Sequence, residues 1–151
     1  MKLFCPVLLA AALLAAAPLR AQTPEEAIRA TINQFFEAME SGDTTALRAA
    51  CAPAPILQTY GQDRQGQWRV RTDDFNDFVR MVGSPSGNTF DEQIEFASIQ
   101  VEAALASVWT PYRFFLNGAL SHCGTNSFQL VLLPEGWKIQ YIIDTRRRDC
   151  E

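Results

Sequence analysis

The sequence of 151 residues has a single histidine, His122. Acid/base chemistry near neutral pH therefore has one ordinary candidate, and paired-histidine mechanisms are excluded. Cysteines are few, at Cys5, Cys51, Cys123 and Cys150, and none stands at zinc-ligand spacing, so no metal site is expected. Neither a glycine-rich phosphate loop nor a dinucleotide fingerprint occurs, and no cofactor is expected. Gly83-Ser84-Pro85-Ser86-Gly87 carries proline where a nucleophile elbow needs serine. Cys123 beside His122 is not a catalytic pair, because strand neighbours point to opposite faces. No apolar run reaches the roughly 20 residues that span a bilayer.

What the N-terminus does contain is Met1-Lys2, an apolar run from Leu3 to Pro18, and Leu19-Arg20-Ala21. This is the pattern of a secretory signal peptide over residues 1–21, with the folded domain over 22–151. An exported protein is expected, periplasmic or extracellular, free of the membrane once cleaved. Lys2 and Arg20 leave with the signal, so 11 of the 13 basic residues face 17 acidic ones, a net charge of −6. Such a surface disfavours nucleic acid and anionic membranes, which reward clustered cations. The basic run Arg146 to Arg148 lies beside Asp144 and Asp149 and reads as a solvated chain end with local ion pairs. In an oxidising compartment two of the three remaining cysteines can pair. Cys123 with Cys150 is the expected disulfide, since a strand residue can meet the chain end that follows the adjacent last strand.

Thr23-Pro24-Glu25-Glu26 has the cap, proline and glutamate of a helix start, and Ile28, Ile32, Phe35, Phe36 and Met39 follow at helical spacing. Gly42 ends that helix, Asp43 caps a short second one, and Pro53 and Pro55 stop it. Ile56–Tyr60 and Gln67–Arg71 read as strands, and Thr72 as the cap of a third helix with Phe75, Phe78, Val79 and Val82 on its buried stripe. Apolar residues are even-numbered from Phe90 to Phe96 and odd-numbered from Ile99 through Ala103 to Leu105, which predicts a bulge near Ala97 or Ser98. Phe128, Leu130 and Leu132, then Trp137, Ile139, Tyr141 and Ile143, mark two late strands. The order implies an α+β domain with helices on one face of a curved antiparallel sheet.

Three further segments carry a resemblance: Val108-Trp109 to Tyr112-Arg113-Phe114, then Ser121-His122-Cys123-Gly124, then Gly136-Trp137-Lys138-Ile139 leading to Asp144-Thr145-Arg146-Arg147. With the element order, they make residues 24 to 148 resemble the nuclear transport factor 2-like superfamily, the cone fold of ketosteroid isomerase, scytalone dehydratase and SnoaL-like cyclases. The similarity is to exported bacterial members without an assigned activity. It implies three N-terminal helices packed on a curved antiparallel sheet, and a homodimer. The isomerases of that superfamily use an aspartate base with a tyrosine and a protonated acid, and its dehydratases use paired histidines. This chain departs from both sets.

Two functions stay open. One is non-catalytic: a small apolar or aromatic molecule, or a protein partner, held in or beside the cone, with Trp109, Phe114, Asn126 and Arg146 as ligand-binding residues. Asp144 and Arg146 share a strand face and could orient a carboxylate or carbonyl at the cone's mouth, or form an ordinary surface ion pair. The other is a cofactor-independent isomerase, dehydratase or cyclase acting on a carbonyl compound. There His122 is the acid/base, Tyr112 donates to a developing oxyanion and Asp144 orients the histidine.

Overall fold

The computed structural model describes residues 22–85 and 87–150; the expected signal peptide lies outside them. Helix α1, Pro24–Ser41, begins with the capping box written in its sequence: Thr23 Oγ1 accepts from the Glu26 amide, and the Glu26 carboxylate accepts from the Thr23 amide. Gly42 closes it in the left-handed region, φ 73°, where a Cβ is unfavourable. In α2, Thr44–Ala50, the Asp43 carboxylate accepts from the amides of Thr45 and Ala46. Helix α3, Phe75–Val82, is capped by Asp74 and not by Thr72, because strand pairing continues through Asp73 before the helix can start.

Seven strands form one sheet: β1 Cys51–Gln62, β2 Trp68–Asp73, β3 Phe90–Ile94, β4 Ser98–Glu102, β5 Leu105–Leu116, β6 Ala119–Leu133 and β7 Gly136–Arg147. The order is β2-β1-β7-β6-β5-β3, with β4 also on β5. Every junction is antiparallel but one. Strands β1 and β7 run parallel, which places the end of β7 beside the β1–β2 hairpin. Strand β1 starts at Cys51, earlier than Ile56, and α2 ends before the prolines. Pro53 and Pro55 instead occupy the break in register between Cys51 and Ile56, where their missing N–H groups cost no ladder bond.

The change of phase after Phe96 is a bulge. Ile94 lies opposite Tyr112, whereas Trp109 faces Ser98 as its partner and accepts from the Ala97 amide. One extra residue on that side bends the sheet. Pro111 sits where β5 passes the gap between β3 and β4, its carbonyl accepting from Glu95. Ala103, expected inside a strand, takes φ 50° in the turn between β4 and β5.

The concave side faces the helices. Ile28, Ile32 and Phe36 of α1, Leu47 of α2 and Val79 of α3 meet Val108, Phe128, Leu130 and Ile139 of the sheet. Ile28, Ile32, Leu47, Phe128, Leu130 and Ile139 are all at 0% exposure, each contributing about 1.5–3 kcal/mol of apolar burial. The Cys123–Cys150 disulfide is present, with Cα atoms 5.7 Å apart, and Cys51 is a buried free thiol pushed up to about 12 by desolvation. No helix among the described residues is long and apolar enough to cross a membrane.

The disulfide closes a loop with a sequence separation of 27. Replacing Cys150 by serine is expected to lower the unfolding free energy by about 3 kcal/mol, mainly by freeing the unfolded chain. Urea denaturation of oxidised wild type against Cys150→Ser measures it, and a difference under about 1 kcal/mol would show that the chain end adds no constraint.

Candidate functional site

Five strands deliver polar side chains to one end of an otherwise apolar concavity. Tyr112 of β5, Asn126 of β6, and Asp144 and Arg146 of β7 all have inward parity, as do Thr59 of β1 and Glu92 of β3. Tyr112 Oη donates to Asp144 Oδ2 at 2.8 Å and lies 3.0 Å from the Thr145 carbonyl. Arg146 Nε donates to the same carboxylate oxygen at 3.2 Å, and Arg146 Nη2 to Thr59 Oγ1 at 3.3 Å. Asp144 is buried at 7% exposure whereas the Arg146 side chain is partly exposed, so the ion pair joins a buried carboxyl group to a guanidinium at the surface.

Tyr112 and Asp144 belong to strands that are not neighbours. Between them runs β6, whose Gly124 lies opposite both Tyr112 and Arg146. A Cβ on Gly124 would come within 1.8 Å of the Thr145 carbonyl oxygen and 3.0 Å of Tyr112 Cε1. Glycine at 124 is what lets the tyrosine lie across the intervening strand.

Asn126 Nδ2 donates to Glu92 Oε1 at 2.8 Å. Desolvation pushes the Glu92 carboxyl up to about 7, with Asp144 adding to the shift while Asn126 and Arg146 oppose it. Desolvation also raises Tyr112, and both nearby carboxylates add to it, so this phenol keeps its proton across the physiological range. Across from Asn126, the fully buried Thr110 hydroxyl has no hydrogen-bond partner among the described residues.

Thr59, Glu92, Asn126, Asp144 and Arg146 border a hollow of about 110 Å³, which Tyr112 and Thr110 do not line. Phe35, Phe36 and Phe78 form its apolar side; Glu92, Asn126 and Asp144 form its polar end. Phe35 and Phe78 are stacked, with centroids 6.0 Å apart.

His122 does not border this hollow. Its ring stacks on Phe114 with centroids 4.7 Å apart, lies edge-on to Tyr112, and its Nδ1 is 3.1 Å from Ser121 Oγ. No hydrogen bond joins it to Asp144. Desolvation, then Arg146 and Arg148, lower it to about 4 against the pull of Asp144. Trp109, 49% exposed, is on the outer face of the sheet, and Phe114 packs at the edge of the core. Of the residues singled out in the sequence, Tyr112, Asn126, Asp144 and Arg146 thus converge; His122 and Phe114 stand beside them, and Trp109 faces away.

Glu92, Thr59 and Gly124 escaped the sequence reading. Glu92 left a trace, as an acid with the same parity as Phe90 and Ile94 on a strand that buries those positions. Thr59 left none, because its place depends on which strand β1 joins.

No family model matches the sequence, and no curated protein matches it. Solved structures do. A nuclear transport factor 2-like protein of unknown function from Shewanella baltica superposes with a TM-score of 0.63 at 15% identity, over 83% of this chain and 94% of its own. The chain has the nuclear transport factor 2-like fold. A nuclear transport factor 2-like protein with a cystatin-like fold from Novosphingobium aromaticivorans also gives a TM-score of 0.63, at 14% identity, over 84% of each chain. A candidate dehydratase from the same fold family in Streptomyces avermitilis gives 0.59 at 20% identity, over 83% of this chain and 99% of its own.

The Glu92 shift has a definite consequence for stability. Its folded pKa lies above the ordinary glutamate value of about 4.5, so its contribution is complete below about 4.5 and is lost as pH rises through about 7. The lost amount is at most about 3 kcal/mol. His122 works in the opposite sense, its lowered pKa favouring the folded state above about 6.5 and losing that contribution as pH falls through about 4. Between these limits the two oppose each other. Glu92→Gln, which keeps an oxygen for Asn126, is expected to match wild type near pH 4 and to exceed it above pH 7. Urea unfolding over that range reads the difference; parallel curves for the two proteins would mean that the carboxyl ionises freely.

Proposed function

We propose that this protein binds a small, largely apolar molecule in the cone, with one hydrogen-bonding group of the ligand at the polar end. The observation that carries the reading is the hollow between Phe35, Phe36 and Phe78 on one side and Glu92, Asn126 and Asp144 on the other. Apolar walls with a few convergent polar groups are the usual composition of a small-molecule site. At about 110 Å³ the space suits a single ring or a short branched group. Below about pH 7 the Glu92 carboxyl keeps its proton and can donate it to a ligand oxygen. The unpartnered Thr110 hydroxyl lies next to this polar end. Against catalysis by the histidine stands its position outside the hollow, and the Tyr112 proton is already directed at Asp144.

A second reading, acid/base catalysis on a carbonyl compound, is favoured by one observation. Glu92 and Asp144 are two carboxyl groups in one hollow, and burial keeps the first protonated to near neutrality. That is the division of labour an acid and a base require. In this reading Glu92, and not His122, is the acid.

Cyclohexanone separates the two readings because it offers a ring, an acceptor oxygen and exchangeable α-hydrogens. Saturable shifts of the Asn126 side-chain amide are expected in NMR titration, with affinity falling as pH rises through about 7 and abolished by Leu57→Phe, which fills the hollow. An unmoved amide would sink the binding site. Deuterium incorporation from D₂O that is lost in Glu92→Gln would turn the assignment to catalysis.

Export belongs to the same proposal, supported by the leader-like N-terminus and by the disulfide, a bond that reducing compartments disfavour. So does pairing of two copies through the outer face of the sheet. There Leu105 and Trp109 are about half exposed, amid Ser127 and Gln129. Sedimentation equilibrium is expected to return twice the chain mass, and a monomer in Trp109→Lys; a monomeric wild type at millimolar concentration would remove the dimer.

A further inference from the structure

The polar end of the cone hollow has more open acceptors than open donors. Asn126 Nδ2 is engaged by Glu92, Arg146 Nε by Asp144 and Arg146 Nη2 by Thr59. Asp144 takes both of its bonds, from Tyr112 and from Arg146, on Oδ2 alone. Among the described residues no hydrogen bond reaches Asp144 Oδ1, Glu92 Oε2 or Asn126 Oδ1, yet none of these atoms is sealed from the space around it.

Charge is unbalanced in the same sense. Three carboxyl groups border the hollow, of Asp73, Glu92 and Asp144. Asp144 has Arg146 as its counter-ion, and Asp73 is held by Arg71 through both of its oxygens. Glu92 has the Asn126 amide and, among the described residues, no cation bonded to it. Burial keeps it protonated up to about pH 7 in consequence.

A recess of about 170 Å³ adjoins the hollow and shares Phe36 and Glu92 with it. Glu37 and Glu40 of α1 and Asp91 on the edge strand β3 border this recess, and no basic residue does. None of these three acids is in an ion pair among the described residues. The approach to Glu92 between α1 and β3 therefore lies in a field that attracts cations. The Phe35, Phe36 and Phe78 rings on the far side of the hollow suit a cation as well as an apolar group.

An ammonium group has three donors and no acceptor, which matches three open acceptors, and it supplies the counter-ion that Glu92 lacks. We propose that the ligand of the cone hollow is a small primary amine, bound as its ammonium between Glu92 and Asp144 with its apolar ring against Phe35, Phe36 and Phe78. This rests on the reading of the hollow as a small-molecule site and names the polar group of the molecule it takes. The amine stays protonated at neutral pH, as lysine does, so the proton that leaves on binding is that of Glu92, and it passes to solvent.

Cyclohexylamine is the probe and cyclohexanone its neutral counterpart, both followed through the Asn126 side-chain amide by NMR and by titration calorimetry. At about pH 8 the amine is expected to bind at least about tenfold more tightly than the ketone, as a charge-assisted contact exceeds a neutral one. Its affinity should rise with pH through about 7, where that of the ketone falls. At about pH 6 binding should release close to one proton, read from the dependence of the heat on the buffer. Asp144 and Arg146 of β7, Tyr112 of β5 and Glu37 and Glu40 of α1 also surround Glu92, so Glu92→Gln assigns the proton: the release should vanish and the affinity drop about tenfold. Leu57→Phe should abolish binding; an amine that still binds sits on the acidic surface and not in the hollow, which would overturn the proposal. A ketone bound as tightly as the amine at about pH 8, or an amine bound without proton release at about pH 6, would overturn it too and leave the small-molecule reading standing. If neither compound moves the Asn126 amide, that reading falls and the amine with it.

Discussion

The hydrogen bond from Tyr112 to Asp144 skips a strand, and the arrangement of everything polar in this protein follows from it. A tyrosine on β5 can reach an aspartate on β7 only if β6 offers no side chain between them, and Gly124 meets that condition. Once made, the bond holds a buried carboxylate beside Arg146, whose own side chain then spans to Thr59 on β1. Three strands, β5, β7 and β1, are thereby cross-linked through side chains. An isolated charge at this depth would be costly, and the phenol and guanidinium together make it tenable.

That network also divides the space inside the cone from the space outside it. On the inner side the remaining polar groups, Glu92 and Asn126, satisfy each other and face aromatic side chains of α1 and α3. On the outer side lie the histidine and Arg69, Arg71 and Arg148. The division explains why the lone imidazole, although correctly phased with Phe128 and Leu130, has no part in the hollow. Inward parity at position 122 places the ring past the end of the helices, where Phe114 and Tyr112 are its floor.

Features governed by local chemistry were legible in the sequence. The capping box at Thr23, the left-handed Gly42, the bulge at Ala97 and Ser98, and the Cys123–Cys150 pair each depend on residues close in sequence or on adjacent strands. Features governed by distant pairing were not. Nothing near Cys51 reveals that β1 lies parallel to β7, so Thr59 as a partner of Arg146 could not be read. Asp144 illustrates the boundary: alternation through Trp137, Ile139, Tyr141 and Ile143 put it on the opposite face, but β7 slips by one residue against β6 at Gln140, so that Ile142 and Asp144 turn inward instead of Tyr141 and Ile143. The third-helix cap moved from Thr72 to Asp74 for a similar reason, since pairing with β1 holds Thr72 and Asp73 extended.

Arg146 borders the spaces on both sides of the network, as Thr59 does, and its charge acts on each. It lowers the proton affinity of Glu92 on the inner side and of His122 on the outer side. Burial alone would work against the guanidinium charge, but Asp144, Tyr112 and Glu92 more than offset that and hold it cationic. A positive charge fixed in a partly buried wall is screened less than one in bulk water. The protonation states of Glu92 and His122 therefore share a common source. The geometry that fixes this source is the hydrogen bond to Asp144, and through it the absence of a side chain at position 124.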